Sequence, residues 1–342
     1  MDSSPQPWST GSRDVGEASL LVHYVTNMYP QAGFPVFGVF VAEQISSLKM
    51  VGIKADLTFR CLSYGKYKSY WMLFYDVLVK VMRNKSDVVH VHYGLTNLLV
   101  LPVLLLARLF GRTKILVVTL HGTDILGRKR ALTRAIKWSL IFIDGVISVS
   151  DGIWTNLPAA VKMKAVTLPC GVSSIFRPTS FKDKSEKIVV FPSDPQRPEK
   201  NFKAFLRIFE SAREKLQGEP IFFRALVGMS REEVRDLFSS SVCLVLTSTY
   251  EGSPQVIKEA VACGLPVLSF DVGDVKKVLE YEENCIVTNS ESEITLALVS
   301  LIRSPKRITP SRCFIEHYGE LGIAHQIKSF YNFHLKTHIQ GK

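Results

Sequence analysis

Short apolar runs alternate with amphipathic helices along most of this chain, and the alternation stops once and then starts again. No other feature restricts the fold as much. The first series reads as a strand at Ser19–Thr26, a helix from about Phe37 to Val51 and a strand at Asp56–Cys61. A helix follows in which Trp71, Phe74, Tyr75, Leu78, Val79 and Met82 recur at helical spacing. Strands at Val88–His92, Ile115–Leu120 and Gly145–Ser150 come next, with a helix through Leu98–Leu109 and a basic helix after the His121–Gly127 loop. The pattern pauses at Pro169-Cys170-Gly171-Val172, and the polar segment Arg177–Ser185 reads as a linker. It restarts with strands at Lys187–Phe191, Ile221–Ala225, Val242–Leu246 and Pro266–Phe270, between helices at Asn201–Lys215, Arg231–Phe238 and after Ser253. Helices near Asp274–Glu280, Glu291–Arg303 and Cys313–His334 end the chain. Strands this rich in Val, Ile and Leu are buried on both faces, as parallel sheets are. The fold class is therefore α/β, with two doubly wound parallel sheets facing across a cleft. A length of 342 residues suits two domains, placed at 1–178 and 179–317 with a closing helical segment at 318–342. Residues 1–16 are polar, lack the apolar core of a signal peptide and read as a disordered tail.

The stretch Thr249-Tyr250-Glu251-Gly252-Ser253-Pro254-Gln255-Val256-Ile257-Lys258-Glu259-Ala260 concentrates the chemistry. Ser253 is a good N-cap and Pro254 suits the first helical position, where its missing N–H would be unpaired anyway. Val256, Ile257, Ala260 and Val261 form an apolar stripe, and Gly264 is placed to end the helix. Glu251 thus lies in a loop at the carboxyl end of a strand, and Glu259 about a turn and a half into the next helix. Ligands of open α/β sheets bind at that edge, where the N–H groups of a helix start attract phosphate. Gly-x-Gly-x-x-Gly and Walker-type loops are absent, which disfavours a nicotinamide dehydrogenase or a P-loop enzyme.

Charge separates the two halves. Residues 1–178 carry 20 Lys/Arg against 10 Asp/Glu, whereas 179–342 carry 22 against 21. A basic first half calls for an anionic partner there. The six cysteines are scattered with no C-x-x-C, which reads as a reduced, cytoplasmic protein without a zinc site. The longest apolar run, Leu98–Ala107, has ten residues and contains Pro102, whereas a membrane span needs roughly 20. Trp71, Phe74 and Tyr75 are read as plain core rather than as a membrane wedge.

Glu251 to Glu259 matches the E-x7-E pattern of retaining glycosyltransferases of GT-B fold, and the chain resembles family 4 of these. Val118-Thr119-Leu120-His121-Gly122-Thr123-Asp124 resembles that family's first-domain His-Gly loop, and Leu168-Pro169-Cys170-Gly171-Val172 its interdomain turn. Arg197-Pro198-Glu199-Lys200-Asn201 resembles its phosphate-binding loop, and Glu259-Ala260-Val261-Ala262-Cys263-Gly264-Leu265-Pro266-Val267 its E-A-x-A-x-G-x-P-V run. The resemblance covers most of residues 19–335 and is most specific in the second half. It implies two Rossmann-like domains, with the last helix crossing back to the first.

The resemblance also implies roles. Glu259 would bind the donor's ribose hydroxyls, and Glu251 the donor sugar. Backbone groups from Gly252 through Ser253, Pro254 and Gln255 would lie near the diphosphate, held by Arg197 and Lys200. His121 would contact the sugar from the first domain. Gly33, Gly38 and Asp124 are candidates for the first-domain ligand loop. The implied reaction moves a hexose-type sugar from a nucleotide-sugar to a glycan or lipid-linked acceptor, with retention, no resident cofactor and no metal. Cell-surface polysaccharide or glycoconjugate synthesis would be its setting. The basic first domain, with Lys66, Lys68, Lys80, Arg83 and Lys85 and with Arg128, Lys129, Arg130, Arg134 and Lys137, would meet anionic membrane peripherally at its inner face, not nucleic acid. Three departures stand out. Pro195 occupies the position of the usual phosphate-binding arginine, so Arg197 would have to serve. The first-domain loop lacks the usual Gly-Gly pair. Asp274 replaces a turn glycine, and would either alter donor preference or cap the next helix. Two other classes remain open: a UDP-sugar 2-epimerase-type enzyme, and a non-catalytic protein that binds anionic surfaces.

Overall fold

The computed structural model describes residues 19–32, 34, 37–60, 66–122, 124–125, 130–178 and 186–340. The polar tail, Cys61, Gly33, Arg128, Lys129 and most of the linker lie outside them, as do the side chains of Lys66 and Lys68. The chain divides into two units, Met1–Gly171 with Glu320–Lys342, and Val172–Gly319.

The first unit runs β1 (Leu21–Thr26), α1 (Val39–Met50), β2 (Lys54–Phe59), α2 (Lys66–Arg83), β3 (Ser86–His92), α3 (Gly94–Leu109), β4 (Thr113–Leu120), α4 (Arg130–Ser139), β5 (Gly145–Ser148), α5 (Asp151–Thr155), α6 (Ala159–Lys162) and β6 (Ala165–Thr167). Its strands form one parallel sheet in the order β2-β1-β3-β4-β5-β6. Successive residues of each strand feed opposite faces. Val25, Val89, Val91, Leu116 and Val118 join α2, α3 and α4 on one side. Val22, Tyr24, Val88, Ile115 and Val117 meet α1 and the last helix on the other.

The second unit runs β7 (Lys187–Phe191), α7 (Phe202–Lys215), β8 (Ile221–Ala225), α8 (Arg231–Ser240), β9 (Cys243–Leu246), α9 (Gln255–Ala262), β10 (Val267–Ser269), α10 (Val275–Val278), β11 (Ile286–Val287), α11 (Glu291–Arg303) and α12 (Arg312–Tyr318). The sheet is again parallel, ordered β11-β10-β9-β7-β8. One face packs α8, α9, α10 and α12, the other α7 and α11. Gly264, at φ +74, closes α9: its N–H donates to Val261 O and the next N–H to Ala260 O.

Three local readings change in the tertiary structure. The helix expected at Cys313–His334 is two helices, α12 and then α13 (Glu320–Gln340), parted by an extended Gly319. Val172 donates to Tyr318 O and bridges Gly319, so the chain leaves the second unit there, and α13 packs in the first. The division falls at 171/172, where the sequence placed it at 178/179, because Val172 and Phe176 belong to the second core. In α2 the buried row is Leu73, Val77 and Val81, one turn apart. Trp71 and Tyr75 are not core: they are 74% and 64% exposed. The aliphatic row fits the sheet, which turns those two rings outward.

His90 and His92 of β3 enter the core on the face of Tyr24 and of Tyr331 from α13. Their rings stack at 4.5 Å. His90 is bonded at both nitrogens, to Tyr331 Oη at 2.6 Å and Thr119 Oγ1 at 2.7 Å. Burial pushes His90 down to about 3 and His92 well below its ordinary value, so both rings are neutral. In the unfolded chain they regain an ordinary value near 6.5. The stability they contribute is therefore fully present above pH about 6.5 and is lost progressively as pH falls below it, down to about 3 for His90, at up to about 1.4 kcal/mol per pH unit for each histidine. Unfolding followed from pH 7 to pH 4 is expected to show this decline, and His92→Phe, which keeps a stacked ring but cannot titrate, to flatten it. An unchanged slope in that variant would count against the account.

Candidate functional site in the second unit and the histidine loop in the first

The order β8-β7-β9 makes a topological switch point, because the chain turns to opposite sides of β7 to form β8 and β9. Loops leaving β7 and β9 part there and leave a crevice at the carboxyl edge. The loops that carry Arg197, Lys200 and Glu251 emerge at this place. The β7 loop ends in a 3-10 turn, Pro198–Lys200, closed by Asn201 in the left-handed region. The β9 loop is knitted to it: Thr249 N–H donates to Glu199 O at 2.9 Å, and Thr247 Oγ1 donates to Lys200 O and Asn201 O.

That knitting brings Lys200 and Glu251 together. Lys200 Nζ donates to Glu251 Oε1 at 2.6 Å, Ser248 Oγ donates to the same oxygen at 2.7 Å, and both charged side chains are largely buried. Arg197 is placed differently. Its guanidinium donates twice to Glu199 Oε1, at 2.8 and 2.6 Å, in an exposed pair of small energetic weight.

Glu259 lies in α9 with only 4% exposure. Its Oε1 accepts from Arg231 Nη1 at 2.7 Å, and that guanidinium lies 4.4 Å over the Phe176 ring. Burial raises the Glu259 carboxyl above its usual range, while the Arg231 and Lys258 cations oppose the rise. Sequence reasoning missed Arg231, reading it only as the start of a helix. The signal was present in Ser230-Arg231-Glu232-Glu233. Ser230 and Glu233 form a capping box, which puts Arg231 first in α8, at the carboxyl edge of the sheet.

Ser253 does not cap α9. The helix begins at Gln255 with Pro254 in the cap position, and no side chain caps it. Ser253 Oγ instead donates to Asp274 Oδ2 at 2.6 Å and accepts from Lys258 Nζ at 2.6 Å. Asp274 likewise makes no cap bond to the helix it precedes. Gly252 has open space around its missing side chain, and its carbonyl abuts Gly273.

In the first unit, the loop after β4 carries His121 and Asp124. The His121 ring stacks 5.4 Å from His92, with Nε2 at 3.2 Å from His92 Nδ1, and 4.9 Å from Phe40. Burial lowers His121 to about 3, so near neutral pH it is an uncharged hydrogen-bonding ring with low proton affinity. Asp124 is fully buried. Its carboxylate accepts from the N–H groups of Gly94, Gly122 and His121, bracing the loop against the start of α3. Gly38 (φ +69) makes a close approach, but to its own chain: a Cβ there would stand 2.4 Å from Met28 C. Gly33 lies outside the described residues. Among the described residues no group of three or more His, Cys, Asp or Glu is arranged to hold a metal.

Residues 187–304 match the family model "Glycosyl transferases group 1". The chain is 25% identical over 260 residues to N-acetyl-alpha-D-glucosaminyl L-malate synthase of Bacillus anthracis, covering 66% of this chain and 68% of that one. Similar solved structures include Anabaena HepE in complex with UDP and glucose, at 15% identity and TM-score 0.65 over 92% of this chain and all of that one. The catalytic domain of Arabidopsis thaliana starch synthase IV, bound to ADP and acarbose, matches at 12% identity and TM-score 0.65, over 93% and 100%. Sucrose-phosphate synthase from Thermosynechococcus elongatus matches at 16% and 0.61, over 94% and 98%. Residues 187–304 are a group 1 glycosyltransferase domain, carried in a chain whose two parallel-sheet units match GT-B glycosyltransferases in fold.

Proposed function

We propose that this chain is a retaining glycosyltransferase that moves a hexose-type sugar from a nucleotide-sugar donor to a glycan or lipid-linked acceptor, in cell-surface polysaccharide or glycoconjugate synthesis. The observation that carries the reading is the switch-point crevice of the second unit, where Lys200–Glu251 and Arg231–Glu259 stand at the carboxyl edge of one sheet. Glu259 receives the ribose: a carboxylate has about four acceptor positions and Arg231 engages one oxygen. Lys200 releases Glu251 to the sugar hydroxyls and turns to the diphosphate, neutralising the charge that grows as the sugar–phosphate bond breaks. Arg197 supports it from the same loop. This protein-supplied charge does the work that a metal would otherwise do, so no metal is required.

The acceptor hydroxyl attacks the anomeric carbon from the face the phosphate leaves. The new C–O bond forms as the phosphate bond breaks, and the departing phosphate takes the hydroxyl proton. Configuration is retained. His121, as a neutral imidazole, holds a sugar hydroxyl rather than acting as the base. A UDP-bound and an ADP-bound structure are both among the fold neighbours.

The acceptor reaches the first unit from an anionic membrane at the cytoplasmic face. On α2 the rings of Trp71 and Tyr75 are exposed, with Arg83 and Lys85 exposed toward its carboxyl end, and on α4 Trp138 is exposed along with Arg130 and Arg134. Aromatic rings beside basic side chains suit the lipid interface, where each cation contributes about 1 kcal/mol. No helix among the described residues is long and apolar enough to cross a membrane.

Three measurements test this. In a thermal-shift panel of UDP-, GDP- and ADP-sugars, one donor at about 100 times its Kd stabilises the wild type by about 2.7 kcal/mol and Glu259→Ala far less. Equal stabilisation of both removes the ribose assignment. NMR of the product is expected to show the donor's anomeric configuration, and inversion would end the retaining mechanism. Liposome pelleting is expected with anionic lipid and not with neutral lipid, and to weaken in Trp71→Ala/Trp138→Ala. Equal pelleting on both lipids overturns electrostatic docking.

A further inference from the structure

Lys258 breaks the ordinary rule for lysine. It sits in α9 beside the buried Ile257, and its own side chain has no solvent exposure. A buried ammonium persists only where protein groups replace its water. Here Nζ donates to Ser253 Oγ at 2.6 Å, stands 4.0 Å from Asp274 Oδ2 and lies 5.4 Å from the centre of the Tyr318 ring. An ammonium can only donate, so the polarity of the chain is set. Lys258 donates to Ser253, and Ser253 passes its own hydrogen to Asp274 Oδ2 at 2.6 Å.

The three residues come from different places in the sequence. Ser253 belongs to the loop after β9, Asp274 to the loop after β10, and Lys258 to the helix between. The same two loops touch at backbone level. A Cβ on Gly273, at φ +59, would come within 2.7 Å of Gly252 O and 3.0 Å of Glu251 O. The Glu251–Pro254 loop is therefore held on one side by Lys200 and on the other by a buried charge pair bridged by a hydroxyl. The departure from glycine at Asp274 and the lysine in an apolar helix belong to one device.

We infer that Lys258, Ser253 and Asp274 form a lock that sets the Glu251–Pro254 loop for the sugar end of the donor, with Lys258 and Asp274 as positioning residues. The inference rests on reading this crevice as a nucleotide-sugar site. A buried ion pair is weak as a source of stability, since apolar residues of similar volume often replace one without loss. Its value is directional, because each charge accepts only one arrangement of the other loop. Removing one charge strands its partner and frees the loop. Removing both relieves the stranded charge.

The full-length protein is compared with Asp274→Asn, Lys258→Met and the double variant by two readouts. The first is hydrogen–deuterium exchange of peptides covering residues 249–256. The second is calorimetric binding of the sugar nucleotide that stabilises the wild type and of its nucleoside monophosphate, which lacks the sugar and the phosphate that carries it. Each single variant is expected to speed exchange in the loop. Asp274→Asn is expected to weaken the sugar nucleotide about tenfold and the monophosphate by less than about twofold, and the double variant to recover most of the loss, as coupled neighbours do. Ser253→Ala removes the bridge without stranding either charge and gives the same exchange readout should a charge variant misfold. Unchanged loop exchange in these variants overturns the lock. So does an equal loss for both ligands, which would make the trio a general brace of the unit. If the wild type binds no sugar nucleotide, the donor reading fails, and the exchange result alone decides whether the lock exists.

Discussion

The pairing of Lys200 with Glu251 depends on the strand order of the second sheet, and the rest of the site depends on that pairing. Parallel strands need crossovers, and β8 and β9 are laid down on opposite sides of β7. The loops leaving β7 and β9 therefore diverge at one edge, and a cation from the first and a carboxylate from the second meet 2.6 Å apart although they are 51 residues apart in the chain. Threonine hydroxyls and a backbone N–H tie the two loops together beneath the pair. The crevice is thus a consequence of topology, and the charges in it are held by hydrogen bonds that topology makes possible.

Each acidic group of the crevice has its own cation: Glu251 has Lys200, Glu259 has Arg231 and Asp274 has Lys258 close by. Buried carboxylates without such partners would be driven toward the neutral form, as the raised Glu259 shows even with Arg231 on it. The three pairs differ in what they leave available. Arg231–Glu259 and Lys200–Glu251 stand at the carboxyl edge of the sheet, where the proposed function has ligand groups share or exchange the bonds. In the third pair only the lysine is fully enclosed, and its hydroxyl-bridged partner Asp274 joins a second loop to the first. In the proposed function, a donor's phosphates would compete for the cations of the first two pairs and leave the third in place. This allows a loop to stay fixed while the charges on it change partners.

The first unit shows a complementary economy of polar groups. His90, His92 and His121 form a column of neutral rings in which burial, not a neighbouring charge, decides protonation. Asp124 closes the loop that carries His121 onto the start of α3. Tyr93, next to it, is held at φ 86, a conformation that a non-glycine residue adopts only under outside constraint. The histidine loop is therefore braced from two directions, by a carboxylate and by a stacked ring.

Apolar periodicity alone determined that this chain would form two parallel α/β sheets, because Val- and Ile-rich strands alternating with helices have few other ways to bury both faces. The eight-residue spacing of Glu251 and Glu259 likewise placed one carboxylate in a loop and one in a helix. Both are local properties, readable from neighbours in the chain. What tertiary structure decided was the partner of each polar side chain. Arg231 reaches Glu259 from another helix, and its capping box hinted only at where that helix begins. Ser253 and Asp274 look like caps in sequence, yet each finds a stronger partner in the other and in Lys258. Trp71 and Tyr75 fit an apolar stripe as well as Leu73 and Val77 do, and only packing on the sheet chose between them. Hydrophobic period is set along the chain, whereas a buried charge or hydroxyl is satisfied across it, by residues that only the fold brings within hydrogen-bonding distance.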